Sequence, residues 1–480
     1  MAKILFVYKN VTLTEPMGIL YLSAALSRAG HESRLVLSDR ENPFRAAEEF
    51  APDVLAFSTT TGFHHYYLDL NRRLKAAFRK PGLLSIFGGP HSTFFPEMVE
   101  DDGVDVVCRG EGEEAIVDLA DALDSGGDIT TIPNLWVKSD GSIHKNEVRP
   151  LVEDLDALPH PRRDIIYGID RYMRNVTMKH FINVRGCPYL CTYCFNHKFN
   201  ELYEGKGKVI RYRSVDDVLA EIKEVRNDYP LEFVRFLSDN FTMDKGWIAE
   251  FAQRYPKEMG LPFHCNVRAN LIDDKTARNL ARAGCVSVMM GIETADEYLR
   301  NEVMKRNQSD ETIVEACARL RENGIAVYNQ NILALPGETF DMALKTVDLN
   351  AKCRPAFAWA SIFTPYPGTG LGAYAIEHGY FDGNYDRIHY SYHVHSGLRF
   401  DNPEERPMMT RLHRLFGVAV EFGFIKNHLR TLCKLPLTPL YTLLFKLWYG
   451  YTNRYRIFPY PVKPSQYLAG VFRFFRKDEA

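Results

Sequence analysis

Three cysteines fall within eight residues in Val184-Arg185-Gly186-Cys187-Pro188-Tyr189-Leu190-Cys191-Thr192-Tyr193-Cys194-Phe195-Asn196-His197. Thiolates are the ligands of iron–sulfur clusters, and three on one tight loop can hold three irons of a cubane. One iron then has no protein ligand, and at that corner a small molecule can bind directly. The spacing also allows structural zinc, with His197 as the fourth ligand of a Cys3His set. Position favours the cluster. The loop follows the first strand of a β/α series, and catalytic groups gather at the carboxyl ends of such strands.

That series supplies further candidates. Strands are expected at Phe181–Arg185, Phe233–Leu237, Phe263–Val267, Ser287–Gly291, Val327–Leu335 and Ala358–Phe363, separated by helical stretches such as Val215–Asn227 and Asp310–Asn323. Six β/α units in a row predict a barrel or partial barrel. Its strands end in Leu237-Ser238-Asp239-Asn240-Phe241, in Gly291-Ile292-Glu293-Thr294, in Leu335-Pro336-Gly337-Glu338-Thr339 and in Pro365-Tyr366-Pro367-Gly368-Thr369. Arg268 follows the third strand, and its guanidinium can fork onto a carboxylate. Each residue has a plain structural reading too: Asp239 as a helix cap, Glu293 as a surface acid, Arg268 in an ion pair. Pro336 to Thr339 reads as a turn and helix start.

An earlier α/β series must be positioned ahead of this one. Strand-like runs at Ile4–Tyr8, Ser33–Leu37, Val54–Ser58, Leu83–Phe87 and Val104–Cys108 alternate with helical patterns at Gly18–Ala29, Tyr66–Arg79 and Glu113–Leu123. Short apolar strands with helical crossovers predict a doubly wound parallel sheet, flavodoxin-like in layout. Ligands bind such sheets beyond the carboxyl ends of the strands. There the sequence has Thr14-Glu15-Pro16-Met17-Gly18, Ser58-Thr59-Thr60-Thr61-Gly62, Gly88-Gly89-Pro90-His91 and Arg109-Gly110-Glu111-Gly112-Glu113. Any one of these can be only a turn. Four at one edge, with glycine for close approach and hydroxyls for hydrogen bonds, predict a site for an amide-rich ligand.

The expected organisation is a doubly wound domain over 1–127, a linker over 128–175 with a short hairpin near Trp136 to His144, a partial (β/α)6 barrel over 176–370, and a mainly helical region over 371–480. Residues 421–480 hold ten Lys or Arg against three acids, with fourteen aromatics interleaved. This tail reads either as a lid or as a basic surface for an anionic membrane. The apolar run Leu437–Tyr451 is broken by Lys446 and is too short to span a bilayer. The whole chain has 59 basic and 61 acidic residues, so no global charge points to nucleic acid. The other six cysteines (Cys108, Cys265, Cys285, Cys317, Cys353, Cys433) sit among apolar neighbours and read as core residues, not as a disulfide framework. The first residues lead straight into a strand, and a reducing, cytoplasmic setting is expected.

With these motifs the chain resembles the radical SAM enzymes, whose signature is this Cys-x3-Cys-x2-Cys loop, and within them the cobalamin-binding subfamily. The resemblance covers roughly residues 1–370. It implies a 4Fe–4S cluster on Cys187, Cys191 and Cys194, S-adenosylmethionine (SAM) and cobalamin. It implies SAM contacts from Tyr193 near the adenine, Ser238 and Asp239 near the amino group, Arg268, Glu293 at the ribose hydroxyls, Leu335 and Tyr366. Cobalamin would meet Thr14, Pro16, Met17, Gly18, Ser58, Thr59, Thr60, Gly88, Gly89, Pro90, His91, Gly110, Glu111 and Gly112. The Asp-x-His-x-x-Gly motif of other cobalamin proteins is absent, which implies base-off cobalamin without a histidine below the cobalt. The implied activity is reductive cleavage of SAM to a 5′-deoxyadenosyl radical, hydrogen abstraction from an unactivated carbon, and methyl transfer from methylcobalamin. Ring closure or oxidation of a porphyrin-like or lipid-like substrate is the alternative. A small-molecule or lipid-like substrate, a flavodoxin or ferredoxin as electron donor, and peripheral membrane contact through the C-terminal region complete the expectation.

Overall fold

The run Ile4-Leu5-Phe6-Val7-Tyr8 leaves no polar face, so the strand that contains it, Lys3–Tyr8 (β1), must be covered on both sides. It is the second strand of a seven-stranded sheet. The others are Glu32–Leu37 (β2), Val54–Ser58 (β3), Leu84–Gly88 (β4), Val106–Cys108 (β5), Leu135–Ser139 (β6) and Ser142–Lys145 (β7). The spatial order is β2-β1-β3-β4-β5-β6-β7, parallel through β5 and antiparallel thereafter. The first five strands follow the 2-1-3-4-5 order of flavodoxin-like sheets.

The computed structural model describes residues 1–78, 80–385, 388 and 396–476, and the chain divides into two units. One is Met1–Asn175 with Lys198–Arg211, the other Val176–His197 with Tyr212–Ala480. The stretch expected as a linker is part of the first unit. Its hairpin adds β6 and β7 to the sheet because Leu135 and Val137 bury their side chains there. The helix expected over Tyr66–Arg79 runs His64–Ala77, and Arg79 lies outside the described residues.

The second unit holds six parallel strands in sequential order: Met178–Phe181 (β8), Phe233–Phe236 (β9), Phe263–Val267 (β10), Cys285–Glu293 (β11), Ala326–Leu333 (β12) and Phe357–Ile362 (β13). The first of these differs from the expected Phe181–Arg185. It begins earlier and breaks after Phe181, and Val184–Arg185 pairs separately as a two-residue strand. Capping starts the intervening helices. Ser214, Asp244, Asp273, Ser309 and Thr339 each accept a backbone N–H of the first turn. Asp244, not Asp239, caps the helix Lys245–Glu258. An aromatic core of Phe236, Phe241, Trp247, Phe251 and Phe263 fills the space between that helix and the strands. Each such buried ring stabilises the fold by roughly 2–3 kcal/mol.

Beyond β13 the chain is helical. The helix Glu405–Glu421 buries Met409, Leu412 and Phe416 against Ala358, Ala360 and Ile362. Gly417 permits this approach, since a Cβ there would stand 2.7 Å from the Ala358 carbonyl oxygen. The six scattered cysteines are all buried. Among the described residues, no helix is long and apolar enough to cross a membrane.

Candidate active site

The loop of Cys187, Cys191 and Cys194 leaves the carboxyl end of β8 and is fastened through Thr192, one of the two residues between its last two cysteines. Thr192 N–H donates to the Met304 carbonyl at 3.2 Å, its hydroxyl donates to the Val303 carbonyl at 2.8 Å, and its own carbonyl accepts Leu371 N–H at 2.8 Å. Cys191 is buried, while Cys187 and Cys194 are half-buried. Burial pushes the Cys194 thiol up to about 12 and raises Cys187 as well. His197 turns its Nδ1 to the Cys194 carbonyl. Among the described residues no three His, Cys, Asp or Glu side chains converge on one point as a single ion requires. A cubane asks for something else, since each thiolate takes a different iron. Three thiolates on one loop are the donor set of an iron–sulfur cluster held at three corners.

Next to this loop stands a buried polar group. The Tyr193 hydroxyl donates to Glu293 Oε1 at 3.0 Å and accepts from Arg306 Nη1, which also lies 3.2 Å from Glu293 Oε1. Arg306 Nη2 donates to the Gly291 carbonyl, while its buried Nε has no hydrogen-bond partner among the described residues. Burial holds the Tyr193 phenol well above its ordinary value, Arg306 opposing and Glu293 adding. Glu293 has a left-handed backbone (φ 71°), as do Lys305 (φ 53°) and Asn307 (φ 52°) beside Arg306. Such conformations cost non-glycine residues about 1 kcal/mol or more and collect where a site over-determines them. Among the described residues only one Glu293 oxygen is engaged, so the other is available to hydroxyl donors.

The remaining predicted SAM residues divide. The hydroxyl of Ser238 donates to Asn183 Oδ1 at 2.7 Å and accepts the N–H groups of Asn183 at 3.1 Å and Val184 at 3.3 Å. Its one proton and two lone pairs are thus committed to the strand break that leads into the cysteine loop. Arg268 is committed too. It stacks 3.8 Å from the Tyr189 ring centroid, donates to Asn270 Oδ1 at 2.9 Å and to the Arg306 carbonyl, and approaches Cys191 Sγ at 3.6 Å. It serves the cysteine loop more than an open pocket. Asp239 keeps part of its surface open, yet loss of surrounding water raises its carboxyl, with a hydrogen bond from Asn196 opposing. Tyr366 and Tyr193 line an open cleft with Ile332, Trp359 and Phe363. Leu335 is buried, and its N–H donates to Glu338 Oε2 at 3.2 Å. The other Glu338 oxygen has no partner among the described residues, and burial pushes this carboxyl up to about 8.

In the first unit the predicted cobalamin residues follow β1, β3, β4 and β5, whose parallel course brings all four loops to one edge. The loops bond to one another: Thr59 N–H to the Gly88 carbonyl at 2.8 Å, His91 N–H to the Thr59 carbonyl at 3.0 Å, and Gly110 N–H to Thr93 Oγ1 at 3.1 Å. Gly89 has φ 90°, and a Cβ there would stand 2.9 Å from the Thr59 backbone. Thr59 is wholly buried, its hydroxyl shared with Ser92 at 2.7 Å. Met17 is buried in the first turn of its helix and Pro16 and Ser58 are half-buried, whereas Thr14, Gly18, Thr60 and Pro90 are exposed. Gly112 leads into the helix Glu113–Ser125. The Glu111 carboxylate is tied to Arg211 at 2.9 Å and Val152 N–H at 3.1 Å. His91 bonds Thr61 Oγ1 at 3.1 Å and stacks 3.9 Å from His64, and burial draws its imidazole down to about 3. An edge of bare backbone, exposed hydroxyls and neutral imidazole fits an amide-fringed macrocycle such as cobalamin.

Sequence reasoning missed Arg306 and His64. Neither carries a motif, but left-handed residues flanking Arg306 and the His64-His65 pair after Gly62 are the local signs.

A model of the radical SAM superfamily matches residues 182–349, and one of the B12 binding domain matches residues 7–120. An uncharacterized methyltransferase, PH0819 of Pyrococcus horikoshii, is 28% identical over 76% of this chain and 79% of its own. The anaerobic magnesium-protoporphyrin IX monomethyl ester cyclase of Rubrivivax gelatinosus is 24% identical over 74% of this chain and 65% of its own. The radical SAM methyltransferase TsrM from Kitasatospora setae shares the fold, with a TM-score of 0.65 at 18% identity over 78% of this chain and 76% of that one. A radical SAM domain implies a 4Fe–4S cluster and SAM, and a B12 binding domain implies cobalamin. With both in one chain, each on its own sheet, the protein carries the domain pair of the cobalamin-binding radical SAM enzymes.

Proposed function

We propose that this enzyme is a C-methyltransferase acting on an unactivated carbon of a small-molecule or lipid-like substrate. When bound, cluster and SAM supply a carbon radical that takes a substrate hydrogen, and cobalamin supplies the methyl group. The protein's own work is position and exclusion of water. Cys187, Cys191 and Cys194 would hold the cluster on a loop that Thr192 keeps fixed, and Arg268 lends positive charge beside Cys191. Tyr193, Glu293 and Tyr366 would contact SAM, with the free Glu293 oxygen accepting from the ribose hydroxyls and Asp239 reaching the amino group. Ser238 and Leu335 would act through the loops they hold. In the first unit Thr14, Gly18, Thr60, the Gly88-Gly89-Pro90-His91 turn and Gly110 to Gly112 would receive cobalamin. The electron would come from a flavodoxin or ferredoxin.

The pairing of a B12 binding domain with the radical SAM cysteine loop carries this reading. Relatives named as methyltransferases support it, among them a cytidylyl-2-hydroxyethylphosphonate methyltransferase at 24% identity. The cyclase relatives favour a second reading, radical ring closure or oxidation with no methyl transfer. Anaerobic turnover with candidate substrates and SAM labelled in its methyl group distinguishes them. Methyl transfer predicts S-adenosylhomocysteine alongside 5′-deoxyadenosine, with label in the product. 5′-Deoxyadenosine and altered substrate without label would assign the second reading.

A further inference from the structure

Between Phe422 and Arg476 the chain carries nine Lys or Arg and no Asp or Glu, whereas a stretch of that length at the chain's mean acid content would hold about seven. The helix Thr438–Thr452 lies within this stretch and is apolar on two sides. Its inner side buries Tyr441, Phe445 and Thr452, with Phe445 against the His413 ring at 5.4 Å. Its outer side presents Leu440, Leu443, Leu447 and Tyr451, which are 57%, 53%, 62% and 46% exposed. Spacings of three, four and four residues put these on one stripe. Leu435 and Leu437 extend it at one end and Tyr455 at the other, while Tyr467 and Leu468 are exposed on the last helix, Pro464–Arg476. Of sixteen large exposed apolar side chains among the described residues, eleven lie after residue 421, so the exposure is concentrated and not scattered.

The charges around the stripe decide what covers it. Lys426, Arg430 and Arg456 are paired with Asp348, Asp341 and Glu421. Lys434 and Lys463 are exposed, and their ammonium groups make no ion pair among the described residues. An apolar stripe with aromatic flanks, cations and no acid is complementary to an anionic lipid surface, where leucines enter the acyl boundary and lysines meet headgroup phosphates. At fifteen residues the helix can lie in that interface but not cross it. We propose that the helix Thr438–Thr452 and its flanks dock this enzyme on anionic bilayers, peripherally.

The test is independent of turnover. Full-length, cluster-loaded protein is floated with vesicles of phosphatidylcholine alone, or of phosphatidylcholine with phosphatidylglycerol, at rising salt. Binding to the anionic vesicles is expected to exceed neutral binding by about tenfold or more and to weaken with salt. Leu443→Glu with Leu447→Glu should abolish binding, and Lys434→Glu with Lys463→Glu should remove the preference for anionic lipid, both with unchanged iron content and thermal midpoint. Equal binding to both vesicle types, no binding to either, or leucine variants that bind like the parent would overturn the proposal. So would a dimer in solution that Leu443→Glu converts to monomer without any vesicle binding, since the stripe would then belong to a second copy of the chain.

Discussion

At the carboxyl edge of the first unit, the loops after β1, β3, β4 and β5 offer mostly backbone, glycine and small hydroxyls, with His91 held neutral. At the same edge of the second unit stand buried charges: Glu293, Arg306 and Arg268 around the cysteine loop. Both edges come from parallel strands with helical crossovers, so topology alone does not choose the chemistry. A backbone-lined edge suits a large ligand that brings its own reactivity and is recognised through its amides. Buried charge suits a small charged ligand whose bond must be split in a dry setting, where each interaction is stronger than in water.

The sharpest break of this comparison is reciprocal. Cys191→Ala should drop cluster iron to background and end SAM cleavage while cobalamin still binds. Gly89→Ala, forcing a Cβ to 2.9 Å from the Thr59 backbone at φ 90°, should cost about 3 kcal/mol in the first unit and release cobalamin while iron stays. Iron and cobalamin assays on both variants check this; loss of both cofactors in both would show that the edges do not act separately. Next in size is Arg306→Ala, which leaves Glu293 buried without its cation. SAM affinity should fall by roughly thirtyfold with iron unchanged, and Arg306→Lys should recover part of it. Unchanged affinity in equilibrium binding would remove Arg306 from the site.

A smaller effect concerns pH. The Glu338 carboxyl sits at about 8 in the fold, above its ordinary value, so the fold favours its protonated form. Its neutral carboxyl costs nothing below about pH 4.5, and stability is lost as pH rises from there toward about 8. Glu338→Gln should flatten that part of the curve, read as the difference in thermal midpoints between parent and variant across that pH range. Parallel curves would show that Glu338 is charged in the fold.

Local features were read correctly from the chain. The flavodoxin-like strands, the sequential six-stranded series and the helix start at Thr339 all follow from apolar runs and caps a few residues long. The break after Phe181 was not legible, because it depends on Ser238, 55 residues away, taking the Asn183 N–H that a continuous strand would have used. The hairpin of β6 and β7 was seen as a pattern, yet its membership in the sheet depended on pairing with β5.

The presence and spacing of Cys187, Cys191 and Cys194, the glycines after the first sheet's strands, and the acid-free stretch 422–476 are properties of neighbouring residues, and the sequence alone determined them. Which groups remain free to meet a ligand was decided only in three dimensions. Arg306 meets Tyr193 across 113 residues, Glu293 meets it across 100, and Ser238 is used up by a strand that precedes it. A hydroxyl or guanidinium has a fixed number of hydrogen bonds to give, and only the packed chain shows which have been spent.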